Sequence, residues 1–137
     1  MPMSKAAEDG PMRKDKGRKS DGRYAYPNLD LVIHERARLS MMTSLVAHPK
    51  GLRFSDLKRL CNLTDGNLSR HLQLLASENL IAISKSYEDN RPQTWCRLTA
   101  DGKRRYVRYL SVLEQIVEDS AAKNKAGDPA LAVSAGN

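Results

Sequence analysis

The sequence predicts a mainly α chain with a small antiparallel β-sheet, an α+β class, on three observations. Residues 54–80 read as two short helices joined by a tight turn, residues 80–98 as a β-hairpin with a charged tip, and residues after Thr99 as a long amphipathic helix. At 137 residues and 40% apolar composition the chain suits one domain with a modest core.

The first 27 residues mix Lys, Arg, Asp, Gly, Ser and Pro with few large apolar side chains, so they are expected to form a disordered basic tail. The domain is expected over 28–120, and a second disordered tail over 121–137. Leu29 to His48 reads as mostly helical, broken near His34, with Leu39, Met42, Leu45 and Val46 facing inward; Pro49 and Gly51 end it. Leu52-Arg-Phe54 can add a short strand to the later hairpin. Ser55 is the expected N-cap of the next helix, Asp56 suits its first turn, and Leu57 and Leu60 give it a buried face. Asn62 marks its end, because Asn tolerates left-handed backbone. Thr64 then caps a second helix in which Leu68, Leu72 and Leu75 repeat at i, i+4 and i+7, and Asn79 closes it.

With successive residues about 100° apart around that helix, Arg70 lies nearly opposite the leucine stripe. Asn67, Leu74 and Ser77 flank it, and Gln73 lies at the edge of the exposed face. Asn67, Arg70 and Gln73 are residue types that pair with base edges, Arg with guanine and Asn or Gln with adenine. Ser69 and His71 lie nearer the sides, where phosphate contact or packing is expected. An ordinary solvated helix face is the alternative, and Leu74 is expected to be half covered by a neighbouring helix.

Leu80 to Tyr87 has partial alternation and β-branched residues, Glu88 to Pro92 is turn-rich, and Gln93 to Leu98 can return as a second strand. A hairpin directly after such a helix makes a winged helix-turn-helix. Arg91, supported by Asn90 and Lys85, is the expected contact to DNA backbone or minor groove. Glu88 and Asp89 would repel phosphate unless they point away or pair with Arg91. Trp95 is expected to pack over the sheet.

Thr99 caps the last helix, which should run to about Asp119. Tyr106, Leu110, Leu113 and Val117 recur at i, i+4, i+7 and i+11, and Val107, Tyr109, Val112 and Ile116 widen the apolar face beyond what one small core needs. The expected result is a C-terminal dimerisation helix and a homodimer, with Tyr106, Tyr109, Leu110, Leu113, Ile116 and Val117 at the interface and Leu29 to Ile33 as an additional strip. The alternative folds the excess face back on the chain's own first helix.

From His34 to about Leu110 the chain resembles small winged-helix transcriptional regulators of the ArsR and MarR groups. The resemblance is carried by Arg38-Leu39, Phe54-Ser-Asp-Leu57, Thr64-Asp-Gly-Asn-Leu-Ser-Arg-His-Leu72, Asn79-Leu80, Arg91-Pro-Gln-Thr-Trp95 and Leu98-Thr-Ala-Asp-Gly102. It implies a dimeric repressor or activator whose recognition helix enters the major groove. It also implies DNA contacts from Thr64, Asn67, Ser69, Arg70 and Gln73 on that helix and from Arg91 on the wing. The sequence departs from the metal-sensing ArsR pattern, because Cys61 stands alone. It is also shorter than a typical MarR chain.

The formal charge is +7, and its distribution is uneven. Residues 50–108 hold twelve Lys or Arg against six acids, whereas residues 109–120 hold three acids and no Lys or Arg. The basic excess thus lies on the proposed reading head and on the leading tail, where Arg13-Lys14, Lys16 and Arg18-Lys19 would attract phosphate without regard to sequence. No stretch has the length and apolar content of a signal peptide or membrane span, and two Cys point to reduced thiols, so a cytoplasmic protein is expected. The three His are scattered, neither Cys has a motif partner, and no phosphate-binding glycine loop is present. No enzyme, metal or cofactor is expected. Cys61 and Cys96 read as small core residues, with oxidation sensing as the alternative. The expected function is a sequence-specific, double-stranded DNA-binding transcriptional regulator. The alternatives are a winged-helix protein-interaction module and a nucleic-acid binder without operator specificity.

Overall fold

The computed structural model describes residues 21–121. The expected tails at 1–27 and 121–137 lie outside the described residues, apart from 21–27 and Ala121. The first helix among the described residues, α1, spans Arg36–Ala47, and a two-residue strand, β1 (Leu52–Arg53), runs directly into α2 (Phe54–Cys61). Then come α3 (Asp65–Ser77), the hairpin strands β2 (Ile81–Glu88) and β3 (Arg91–Leu98), and α4 (Ala100–Ala121). The sheet is antiparallel in the order β1-β3-β2, with Leu52 opposite Cys96 and Arg53 opposite Trp95. The short strand expected at Leu52 therefore completes a three-stranded sheet.

Both helices of the central pair end in the same way. Asn62 has φ +54°, Asn62 N–H donates to Arg59 O, and Leu63 N–H reaches back to Lys58 O. Asn79 has φ +61°, with Asn79 N–H on Ala76 O and Leu80 N–H on Leu75 O. Each is a Schellman closure built on Asn-Leu, the left-handed Asn reversing the chain while the following Leu packs back on the helix. The helix starts differ from each other. Thr64 Oγ1 accepts from Asn67 N–H at 3.2 Å, as expected, but Ser55 is not a cap: it lies inside the first turn of α2, whose N-cap is Arg53 with no side-chain bond. Strand β1 enters the helix without a loop, so the helix starts one residue before the sequence signal.

The core lies where α1, α2 and α3 meet the sheet and α4. Ile33, Met41, Met42, Leu45, Leu57, Leu68, Leu75, Leu80 and Cys96 are completely shut off from solvent, and Leu72 nearly so. Of the residues expected to face inward from α1, Met42 and Leu45 do so fully, while Leu39 and Val46 are half-buried and Met41 takes a central place. The helix is shorter than expected, because the chain before it makes a turn at 31–33 and bends at 34–35, with His34 N–H on Asp30 O.

The end of α3 and the start of α4 are clasped together. Thr99 Oγ1 accepts from Gly102 N–H at 2.8 Å and donates to the Asn79 and Leu80 carbonyls, while Asn79 Nδ2 donates to Asp101. Gly102 is required here, since a Cβ on it would stand 2.1 Å from Leu80 O. Gly51 has a similar duty before β1: its φ is +105° and a Cβ would meet Cys96 O at 2.8 Å.

On α4 the buried line runs through Gly102, Tyr106, Tyr109 and Val112. The stripe expected to be apolar is rotated relative to it. Leu110 and Val117 are exposed, and Leu113 and Ile116 are half-buried. Tyr106 and Tyr109 hydrogen-bond inward, to Thr43 Oγ1 and His34 Nδ1, each at 2.8 Å.

Candidate nucleic-acid interface

Helix α3 is anchored by Leu68, Leu72 and Leu75 and turns Asn67, Ser69, Arg70 and Gln73 to solvent, with Thr64 exposed at its start. Arg70 and Asn67 are one turn apart, and the Arg70 guanidinium donates to Asn67 Oδ1 at 3.0 Å. The pair is thus held together on the exposed face before any partner arrives. Leu74 is 36% exposed, so it is largely covered although it lies on the polar side of α3. The turn between α2 and α3 is pinned by an ion pair from Lys58 to Asp65 at 2.8 Å.

The fixing of α3 also involves α1. Arg38 donates to Val32 O and approaches His71 Nδ1 at 3.2 Å. His71 therefore packs, as one of the two roles read from the sequence. Glu35 caps α1 by accepting from Arg38 N–H. Burial alone would raise the Glu35 carboxyl, but the Arg38 and Ala37 amides and the nearby His71 and Arg38 charges hold it below the ordinary range.

The hairpin is tighter than the turn-rich 88–92 stretch suggested. Glu88 pairs with Arg91, leaving a two-residue tip of Asp89 and Asn90 at φ +52° and +63°. These are the values of a type I′ turn, whose twist matches the strands. Pro92 follows within β3 because β1 stops opposite Trp95, so that side of β3 is an open edge; opposite Tyr87, its nitrogen points outward in the antiparallel alternation.

The register places Lys85 and Arg91 on opposite faces of the wing. Lys85 shares a face with Ile83, Tyr87 and Thr94; Arg91 shares the other with Glu88, Gln93 and Trp95. Asn90 and Arg91 are exposed at the tip. Although it stands opposite Arg91 in the strand register, Glu88 turns its carboxylate to other partners. It accepts from Arg53 Nη2 at 2.6 Å and from Trp95 Nε1 at 3.1 Å, while the Arg53 guanidinium lies 5.3 Å over the Trp95 ring. Arg53 was missed in the sequence because a two-residue strand has no periodicity of its own. Pairing it with β3 would have placed it on the face of Trp95.

Both thiols are buried, and burial pushes Cys96 up to about 11. Cys96 is therefore a protonated thiol near neutral pH, with little nucleophilic character. Among the described residues, no three His, Cys, Asp or Glu side chains are gathered so as to hold a metal. No helix among them is long and apolar enough to cross a membrane.

A family model described as a winged helix DNA-binding domain matches residues 37–117. The chain belongs to this family. Among curated proteins, the winged helix chain is 29% identical over 98 residues to an uncharacterised HTH-type transcriptional regulator, YdgJ, of Bacillus subtilis. That match covers 72% of this chain and 58% of the relative, so the chain spans little over half the length of that protein. Among solved structures, a transcriptional regulator homologue from Pyrococcus horikoshii aligns at 28% identity with a TM-score of 0.61, covering 66% of this chain and 88% of that one. The MepR–DNA complex from S. aureus aligns at 17% identity with a TM-score of 0.58, covering 93% and 96% of the two chains. MarR-family regulators are among the further structural matches, so the winged helix chain is related in fold to the MarR group.

Proposed function

We propose that the protein is a sequence-selective, double-stranded DNA-binding transcriptional regulator that acts as a homodimer. Helix α3 would lie in the major groove and the wing in the flanking minor groove. The observation that carries this reading is the exposed, pre-paired Asn67–Arg70 couple on a helix whose opposite face is locked into the core. Gln73 extends the couple by one further turn, while Thr64 and Ser69 would meet phosphate.

The two-faced wing supports the minor groove over a wing lying flat on one backbone. Lys85 on one face and Arg91 on the other suit a ribbon set between two phosphate walls, with Asn90 at the tip. The aligned MepR structure is a complex with DNA, which is consistent with this use of the fold. A cytoplasmic location follows from the reading, because that is where the DNA would be met.

The homodimer reading rests on exposed apolar groups along α4. Val107, Leu110 and Val117 are 54, 39 and 64% exposed and lie along one side of the helix, with Leu113 and Ile116 half-buried beside them. Tyr106 and Tyr109 would support such an interface from within the core rather than form its surface.

Replacing Arg70 tests the reading head. Arg70→Ala should cost about 1–3 kcal/mol in binding to a preferred duplex and should relax sequence preference. Anisotropy titrations of preferred and scrambled duplexes measure both effects. Equal affinity and selectivity in the variant would remove α3 from the reading role.

A further inference from the structure

The outer face of the wing base holds a cluster that the DNA-contact residues do not use. Both carboxylate oxygens of Glu88 are engaged, one by Arg53 Nη2 and the other by Trp95 Nε1, and the Arg53 guanidinium also covers the Trp95 ring. The register explains why three strands meet there. Arg53 of β1, Trp95 of β3 and the even-numbered residues of β2 up to Glu88 all fall on one face. At its centre Arg53 Nε and Ser86 Oγ are shut off from solvent, with no hydrogen-bond partner among the described residues.

Arg53 is also the N-cap residue of α2, the first helix of the helix-turn-helix, and Glu88 is the last residue before the wing tip. A bond between them joins the far end of the wing directly to the start of the reading unit. Beyond Trp95, β3 has no strand on its other edge, so without this bond the distal hairpin would be a two-stranded ribbon held by its own ladder.

We propose that Glu88 and Arg53, gripped across Trp95, are positioning residues that fix the angle of the wing to the helix-turn-helix and so set DNA affinity. The proposal rests on the DNA-reading function above. It makes an acid beside the wing tip favourable for binding an anion. A solvated Glu88 would repel phosphate, and its neutralisation would tighten binding; a Glu88 that positions the wing must do the opposite. Arg53 gives the complementary contrast. Lys in its place keeps the positive charge but loses the planar fork and the stacking.

The test uses the full chain and a fluorescein-labelled duplex recovered by selection from random DNA. Glu88→Gln should bind about fivefold more weakly despite losing a negative charge, and Arg53→Lys should weaken binding to a similar extent. The double swap Arg53→Glu with Glu88→Arg should recover part of the loss. Trp95 is the only tryptophan in the sequence, so acrylamide quenching of its fluorescence reports on the cluster alone. Quenching should rise in both single variants, and amide exchange in the distal hairpin should quicken. Unchanged or tighter binding by a folded Glu88→Gln protein, or unchanged quenching and exchange, overturns the proposal. Arg53→Lys carries the same decision if Glu88→Gln does not fold. If the wild-type chain selects no DNA sequence, the functional reading fails separately, and quenching with amide exchange still decides whether the tether holds the wing.

Discussion

At the scale of single residues, Arg105 does more to join separate parts of the chain than its exposed neighbours. Its guanidinium makes paired bonds to Asp30, at 2.9 and 3.1 Å, and a third to Glu78 at 3.0 Å, linking α4 to the segment before α1 and to the end of α3. The hydrogen bonds it donates to Asp30 hold the Arg105 pKa above its ordinary value, and the one to Glu78 adds to this. On the Asp30 side, partial burial alone would raise the carboxyl, but Arg105 and the Ile33 and Val32 amides hold it below the ordinary 3.8. A depressed acid stabilises the fold above its unfolded pKa and loses that contribution as pH falls through the folded value. Stability should therefore decline below about pH 4, and Asp30→Asn should flatten that decline while costing about 1–2 kcal/mol at pH 7. Urea unfolding at pH 3, 4 and 7 measures both. Parallel pH profiles for the two proteins would show that Asp30 is not a source of the acid sensitivity.

At the scale of elements, glycines separate close packing from open helix surface. Gly102→Ala would drive a methyl group into Leu80 O, which belongs to the backbone and cannot swing aside, so the clasp between α3 and α4 must open at a cost of about 2 kcal/mol or more. Gly66, in the first turn of α3, has nothing within 4 Å of a built Cβ, and Gly66→Ala should stabilise the fold by about 0.5–1 kcal/mol through helix propensity. Thermal unfolding of the two variants should move in opposite directions; a shared sign would contradict this packing. The two caps that meet in the clasp, Asn79 and Thr99, were legible in the sequence because capping is local chemistry; the contact between them was not. The Schellman ends at Asn62 and Asn79 and the cap at Thr64 were legible too. The start of α2 was not, since a strand that feeds a helix directly displaces the local signal at Ser55. The sequence did not say which side of α4 one chain buries. Its Tyr, Val, Leu and Ile residues encircle most of the helix, and only the positions of α1 and the turns before it decide which of them face inward. The exposed polar face of α3 was readable because its leucines leave one polar side, whereas the Glu88–Arg53 contact depends on strand register and was hidden.

At the scale of the molecule, charge and apolar surface divide between elements. The proposed DNA-contact elements, α3 and the wing, carry exposed Arg70, Lys85 and Arg91, while α4 carries an exposed apolar line and the acids Glu114, Glu118 and Asp119 after Arg108. An apolar line of this kind on a terminal helix suits a second copy related by a twofold axis. Light scattering at micromolar concentration should give a dimer mass for the full chain, and Leu110→Lys with Val117→Lys should shift it towards monomer. A wild-type monomer would leave the exposed line without that role. The proposed role of α3 and the wing is to read a DNA sequence together. The decisive experiment selects bound fragments from a random duplex pool, at physiological salt, and sequences them. An enriched inverted repeat whose half-sites lie about one helical turn apart is the expected outcome. Binding that is strong, steeply salt-dependent and without any enriched sequence would contradict it.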